Sequence, residues 1–230
     1  MSVIRYFKRE FSKAKREVKQ LDGRNAKLQY IWDYYKLWII GFAAAAGLII
    51  YFIVVRVTTP DDNWFYITVA NTQADAGNKS GIRSDFIAYA GYDTEEKNVY
   101  FNDNCYFDPF SDRPNDYYTY FVAYVEAGTL DLIAMERDDL EKLGERGWLL
   151  DLTRPEASAV MEKYADRLIY AVPKDETYST EPVPIGIDVS DSKMVKKYHI
   201  YKDSCALGLS ANCPHMDAVL TFLDFILEDE

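Results

Sequence analysis

The chain has 230 residues, a formal net charge of −11, three cysteines and two histidines. His199 and His215 do not combine with Cys105, Cys205 and Cys213 into a Cys-x2-Cys and His-pair spacing, which excludes a zinc-finger type of centre. The negative total conceals two opposite pieces: residues 1–36 hold ten Lys/Arg against four Asp/Glu, whereas from residue 57 onward 15 basic residues face 33 acidic ones.

In the basic arm, Ile4, Phe7, Phe11, Ala14, Val18 and Leu21 recur at spacings of three and four. That spacing predicts one apolar helical stripe flanked by Lys/Arg, ended by Asp22-Gly23. A basic amphipathic helix of this kind lies on an anionic inner leaflet. A coiled coil needs more heptads than the arm offers. No recognition motif accompanies the charge, so no nucleic-acid partner is expected. A second helix is predicted from about Lys27 into the apolar run that follows.

Leu37–Val55 (LWIIGFAAAAGLIIYFIVV) is 19 residues without a charge. As a helix it spans roughly the 30 Å hydrocarbon core of a bilayer, where a backbone must close its own hydrogen bonds. Trp32, Tyr34, Tyr35 and Trp38 at one end, and Tyr51 and Phe52 at the other, are rings suited to the headgroup level. Gly41/Ala45 and Ala43/Gly47 are small-xxx-small pairs, a weak dimerisation signal in an Ala-rich span. Positive charge stays cytoplasmic, so the N-terminus is expected inside and the C-terminal bulk outside the cell membrane. A cleavable signal peptide is the competing reading. The run is longer than an h-region and neither a small-x-small site nor a lipobox follows it, which favours an uncleaved signal anchor. The expected layout is a cytoplasmic basic arm (1–36), a transmembrane anchor (37–57), a linker (58–63) and one extracytoplasmic domain (64–230).

In that domain strands and helices alternate. Trp64–Ala70 is aromatic and β-branched and reads as a buried strand. Ser80 is the expected cap of a helix that presents Ile82, Phe86 and Tyr89 on one face and stops at Gly91. Asn98–Phe107 is a second strand, Asn115–Glu126 a helix, Leu130–Met135 a third strand and Asp138–Arg146 a short helix. Leu149–Leu152 is a small extended piece. Thr153 and Glu156 form a capping box with Pro155 in the first turn. Leu168–Val172, Val183–Ile187 and Ala206–Leu209 are further strands, and Pro214 opens a last helix with Val219, Phe222, Leu223 and Ile226 on one stripe. The pattern predicts an α/β domain with a largely parallel sheet flanked by helices.

The passage Phe121–Thr153 (FVAYVEAGTLDLIAMERDDLEKLGERGWLLDLT) resembles the extracellular solute-binding proteins of bacterial ABC importers, the maltose-binding-like class. Leu168–Pro173 (LIYAVP) resembles that family's strand entering the hinge, and Ala206–Leu227 its late strand–helix segment. The resemblance covers about two thirds of the outer domain. It implies a single periplasmic-binding-protein-like lobe, for nearly the whole second lobe is missing and Lys174–Pro184 stands in its place. It also implies contact residues at the carboxyl ends of the strands. These are Asn71, Thr72 and Gln73 after the first strand, Glu136 and Arg137 after the third, and Ser210 and Asn212 after the late one. The implied partners are an ABC importer or another membrane protein, and a sugar or peptide solute.

Other chemistry is sparse. Ser210 in Gly208-Leu-Ser-Ala-Asn lacks the second glycine of a nucleophile elbow, and no phosphate-binding glycine loop is present. Asp103, Asp108, Asp112 and Asp116 lack EF-hand spacing and its turn glycine, so no metal is expected. His215, in the first turn of the last helix, is expected to be solvated. Cys205 and Cys213 are a candidate disulfide stapling the late strand to the last helix; Cys105 is either an alternative partner or a buried apolar residue. The nineteen tyrosines are read as core and sheet-face packing, with stacking on sugars as the alternative. No enzyme and no cofactor is expected. The expected function is a membrane-anchored binding module for a solute or a protein; the alternative is a structural or regulatory scaffold without a small ligand.

Overall fold

In the computed structural model the described residues are 23–58, 62–174 and 179–228, and for 31, 34 and 55–58 the backbone alone. The stripe from Ile4 to Leu21, residues 59–61 of the linker and residues 175–178 lie outside them. The chain divides into two compact units, Met1–Thr59 and Pro60–Glu230.

Among the described residues the first unit contains one helix, α1, Arg24–Thr58. No proline interrupts it, so the predicted pre-span helix and the apolar run are continuous. Tyr35–Val54 within it is 20 residues long and apolar enough to cross a membrane, with none of that window buried. Trp32, Trp38, Tyr51 and Phe52 are exposed.

The second unit is α/β. Its strands are β1 (Asn63–Val69), β2 (Asn98–Asn102), β3 (Leu132–Met135), β4 (Leu168–Ala171), β5 (Val183–Asp188) and β6 (Ala206–Leu209). Its helices are α2 (Ile82–Ala90), α3 (Asp116–Glu126), α4 (Arg137–Gly144), α5 (Ser158–Lys163), α6 (Lys193–Lys196) and α7 (Met216–Leu227). The six strands form one sheet in the order β2-β1-β3-β6-β5-β4. β1 pairs in parallel with both β2 and β3. β6 is antiparallel to β3 and to β5, and β5 is antiparallel to β4. The sheet is therefore mixed. β2, β1, β3 and β5 point one way, so the largely parallel sheet expected is found in part, while β6 and β4 run against them in antiparallel ladders.

Alternation along β1 sorts the core into two layers. Phe65, Ile67 and Val69 face α2 and α7, where Phe86, Phe222 and Leu223 are fully buried. Tyr66 and Ala70 face α3 and α4, with Phe121, Val125, Leu140 and Leu143. Helices thus cover both faces of the sheet.

Local chemistry explains most element ends. Asn115 caps α3 by accepting a hydrogen bond from Tyr118 N, and Gly91 ends α2 at φ 68°. Ser80 Oγ accepts from Ile82 N at 3.3 Å, although Gly81 is the residue that turns into the helix. The Thr153/Glu156 capping box does not form. Thr153 N and Oγ1 both donate to Asp151 Oδ1, and a 3-10 turn, Pro155–Ala157, precedes α5. β2 stops at Asn102, well short of Phe107. Asn102 Oδ1 accepts from Asn104 N, which turns the chain away from the sheet.

α4 lies on a glycine platform. Gly186 of β5 and Gly208 of β6 are in register. A Cβ on Gly186 would fall 2.6 Å from Leu140 Cδ2 and 2.7 Å from the Leu207 carbonyl oxygen. Gly186→Ala is expected to destabilise the domain by about 1–3 kcal/mol through overpacking, read as a lower urea midpoint. An unchanged midpoint would mean that α4 does not rest on this platform.

Candidate functional site

Strand direction decides where the sequence-derived site residues go. β1 and β3 are parallel, so Asn71, Thr72 and Gln73 lie at the same end of the sheet as Glu136 and Arg137. β6 runs the other way, with Leu209 paired to Leu132 and Ala206 to Met135. Ser210 and Asn212 therefore lie at the opposite end, and the seven residues do not form one site.

Most of them serve internal bonds. Asn71, at φ 58°, accepts from Phe107 N and donates through Nδ2 to Phe107 O and to Asp139 Oδ2. Thr72, nearly fully buried, donates to Ile200 O at 2.6 Å and accepts from Ala74 N. Arg137 bridges Glu141 and Asp188 at 3.0 and 3.1 Å. Asn212 Nδ2 donates to Val125 O. Gln73 and Glu136 are exposed.

Two arginine-paired carboxylates, Asp188 with Arg137 and Asp191 with Arg167, make stability depend on pH. Burial opposes ionisation of Asp188, but hydrogen bonds from Ser190 N and Arg137 outweigh it and hold its carboxyl below the usual range. The Arg167 guanidinium lowers Asp191 in the same way. Folded values below unfolded ones give stability that is present above the unfolded value, about 4, and lost as pH falls through the folded values. The urea midpoint should therefore fall on acidification below about pH 4, and Arg137→Met with Arg167→Met should flatten that fall. An acid slope identical in the double variant would contradict the assignment.

The opposite end is built around Asp131, the one charged side chain in the buried LDLIAM run and fully buried. Its Oδ2 accepts from Tyr66 N at 2.8 Å and its Oδ1 from His215 N at 2.9 Å. His215 Nδ1 lies 3.2 Å from both oxygens. The Cys213 thiol donates to Oδ1 at 3.6 Å. Burial pushes the Asp131 carboxyl up against these bonds, and burial pushes the Cys213 thiol up to about 12. His215 is thus the residue preceding α7, bonded to a carboxylate, and not simply a solvated side chain. The signal for this cluster was a lone Asp inside an apolar strand.

The Cys205–Cys213 disulfide is not formed; Cys105, Cys205 and Cys213 are free. Strand β6 lies between Cys205 and Cys213. At about 3.3 Å per residue its four residues carry the two Cα atoms beyond the roughly 4.4–6.8 Å separation that a disulfide needs. Asp103 Oδ2 accepts from Gly77 N and Asp108 Oδ1 from Phe110 N. Among the described residues no three His, Cys, Asp or Glu side chains converge as metal ligands.

A third feature was not found from the sequence. Between β1, β2 and α3 lies a cavity of about 260 Å³. Tyr100 and Asn102 of β2 and Tyr117, Tyr120 and Tyr124 of α3 line it, with Thr68 of β1 and Asn104. Alternation places these β2 side chains beside Thr68, the register partner of Asn102. Tyr66 packs edge-on against Tyr100 at 5.0 Å, and burial raises its phenol, whose hydroxyl interacts with Asn102 and Tyr124. Thr68 is 1% exposed, and its hydroxyl has no hydrogen-bond partner within the protein. An unpaired buried hydroxyl costs about 1–3 kcal/mol, so Thr68→Val should stabilise the domain by about 1 kcal/mol. A fall in the melting temperature would show that the hydroxyl is already satisfied.

No protein-family model, curated protein or solved structure matches the chain.

Proposed function

We propose that this chain is a single-pass membrane protein whose α/β domain is a non-catalytic binding module on the outer face of the cell membrane. The observation that carries the reading is the pairing of an unburied apolar helix, Tyr35–Val54, with a separate compact α/β unit. The excess of Lys/Arg before the helix orients the domain outward by the positive-inside rule. The likeness of Phe121–Thr153 and Ala206–Leu227 to solute-binding proteins of ABC importers adds a solute or an importer subunit as the object of binding. Binding fits the chemistry better than catalysis does: Asp131 and His215 hold β3 to the start of α7, and the neighbouring Cys213 thiol is driven away from the thiolate.

A second reading is a protein-interaction scaffold. Tyr100, Tyr106, Tyr120 and Tyr124 are all exposed, and aromatic surfaces of this kind serve protein contacts. A thermal-shift screen of the full chain in detergent, against sugars, amino acids and short peptides, separates the two. A saturable rise in melting temperature supports solute capture. No shift, together with a protein that co-purifies stoichiometrically, overturns solute capture in favour of the scaffold.

A further inference from the structure

We propose that the cavity between β1, β2 and α3 binds a small uncharged ring compound that carries hydroxyl or amide groups along one edge. The proposal rests on the binding-module reading and names the site and the ligand chemistry.

Size sets the first limit. At about 260 Å³ the cavity falls just below the range of roughly 300–1,000 Å³ for drug-sized ligands, which suits a single ring. Charge sets the second. No Asp, Glu, Lys, Arg or His lines the cavity, in a chain where 27% of residues are charged. An ionic ligand would lose its hydration there without a counter-charge. The walls set the third. Tyrosine rings from β2 and α3 offer apolar faces to a ring, and the side-chain amides of Asn102 and Asn104 add hydrogen-bonding groups to the lining. The floor supplies the fourth. The Thr68 hydroxyl is buried and unpaired beside Asn102, so it is held ready for a hydrogen bond that the protein itself does not make.

Two sources supply this chemistry, a saccharide ring and a neutral heterocycle, and calorimetry on the full chain in detergent distinguishes them. Methyl glucoside and N-acetylglucosamine form one arm; uracil and nicotinamide form the other. Glucuronate and orotate are the charged counterparts. One neutral arm should bind, and its charged counterpart should bind at least about tenfold more weakly. Thr68→Val should weaken binding by about three- to tenfold while the protein melts no lower than the wild type. Tyr120→Ala, at an exposed rim position, should weaken it by about tenfold. Binding that both variants leave unchanged would place the ligand elsewhere, overturning the cavity and leaving the module reading intact. Equal binding of the charged counterparts, or no binding in either arm, would also overturn the cavity. The module reading falls only with the wider solute and partner screen.

Discussion

Asp131→Ala is expected to destabilise the α/β domain by about 3–5 kcal/mol. Three elements converge on this carboxylate. It belongs to the segment entering β3, it accepts the backbone N–H of Tyr66 in β1, and it accepts the backbone N–H and ring of His215 ahead of α7. Truncation leaves two N–H groups without an acceptor where water has little access. Each such group costs about 1–3 kcal/mol, and the His215 ring loses its carboxylate anchor. Asp131→Asn is the informative companion. It keeps the shape but turns one acceptor into a donor facing donors, so it should recover little of the loss. Urea unfolding followed by circular dichroism reads both. A loss under about 1 kcal/mol for the Ala variant would mean that the carboxylate is incidental to the junction.

Phe222→Ala is expected to cost a similar amount, about 3–5 kcal/mol. Phe222 is fully buried at the centre of a ring cluster that joins helix to sheet. Its centroid lies 4.9 Å from Phe65, 5.1 Å from Phe86 and 5.9 Å from Phe101. Removing the ring forfeits its transfer free energy, opens a cavity and loses edge-to-face contacts that add about 0.5–1.5 kcal/mol per pair. Phe222→Leu refills most of the volume and should cost less than half as much. The urea midpoint should move without a change in slope, because the unfolded chain exposes nearly the same surface. A shift as small as that of an exposed substitution would contradict the assigned core.

These two residues mark what could and could not be read from the sequence. Phe222 was legible, because its spacing with Val219, Leu223 and Ile226 defines a helical stripe whatever surrounds it. β1, β3 and β6 were legible for a related reason, as short apolar runs bounded by turns. Asp131 was not. A single Asp in an apolar strand signals a buried polar contact, but its partners lie 65 and 84 residues away, and local periodicity carries no information about them. Strand polarity was equally hidden. The same alternation serves parallel and antiparallel ladders, so Ser210 and Asn212 were grouped with Asn71 and Arg137 although β6 carries them to the other end. The cavity escaped because its lining comes from β1, β2 and α3, and the tyrosines were read together as packing or sugar-stacking rings with nothing in the sequence to gather four of them round one site.

In the proposed topology the helix containing Tyr35–Val54 crosses the cell membrane and the α/β domain lies outside. Labelling whole cells with a membrane-impermeant amine-reactive reagent, followed by peptide mass spectrometry, tests it without altering the chain. Lys79 and Lys202 have side chains 83% and 92% exposed and suit this purpose. In that topology both are labelled on intact cells, and Lys8 and Lys13 of the basic arm are labelled only after the cells are opened. Labelling of Lys8 and Lys13 on intact cells, with Lys79 and Lys202 protected until lysis, would contradict it.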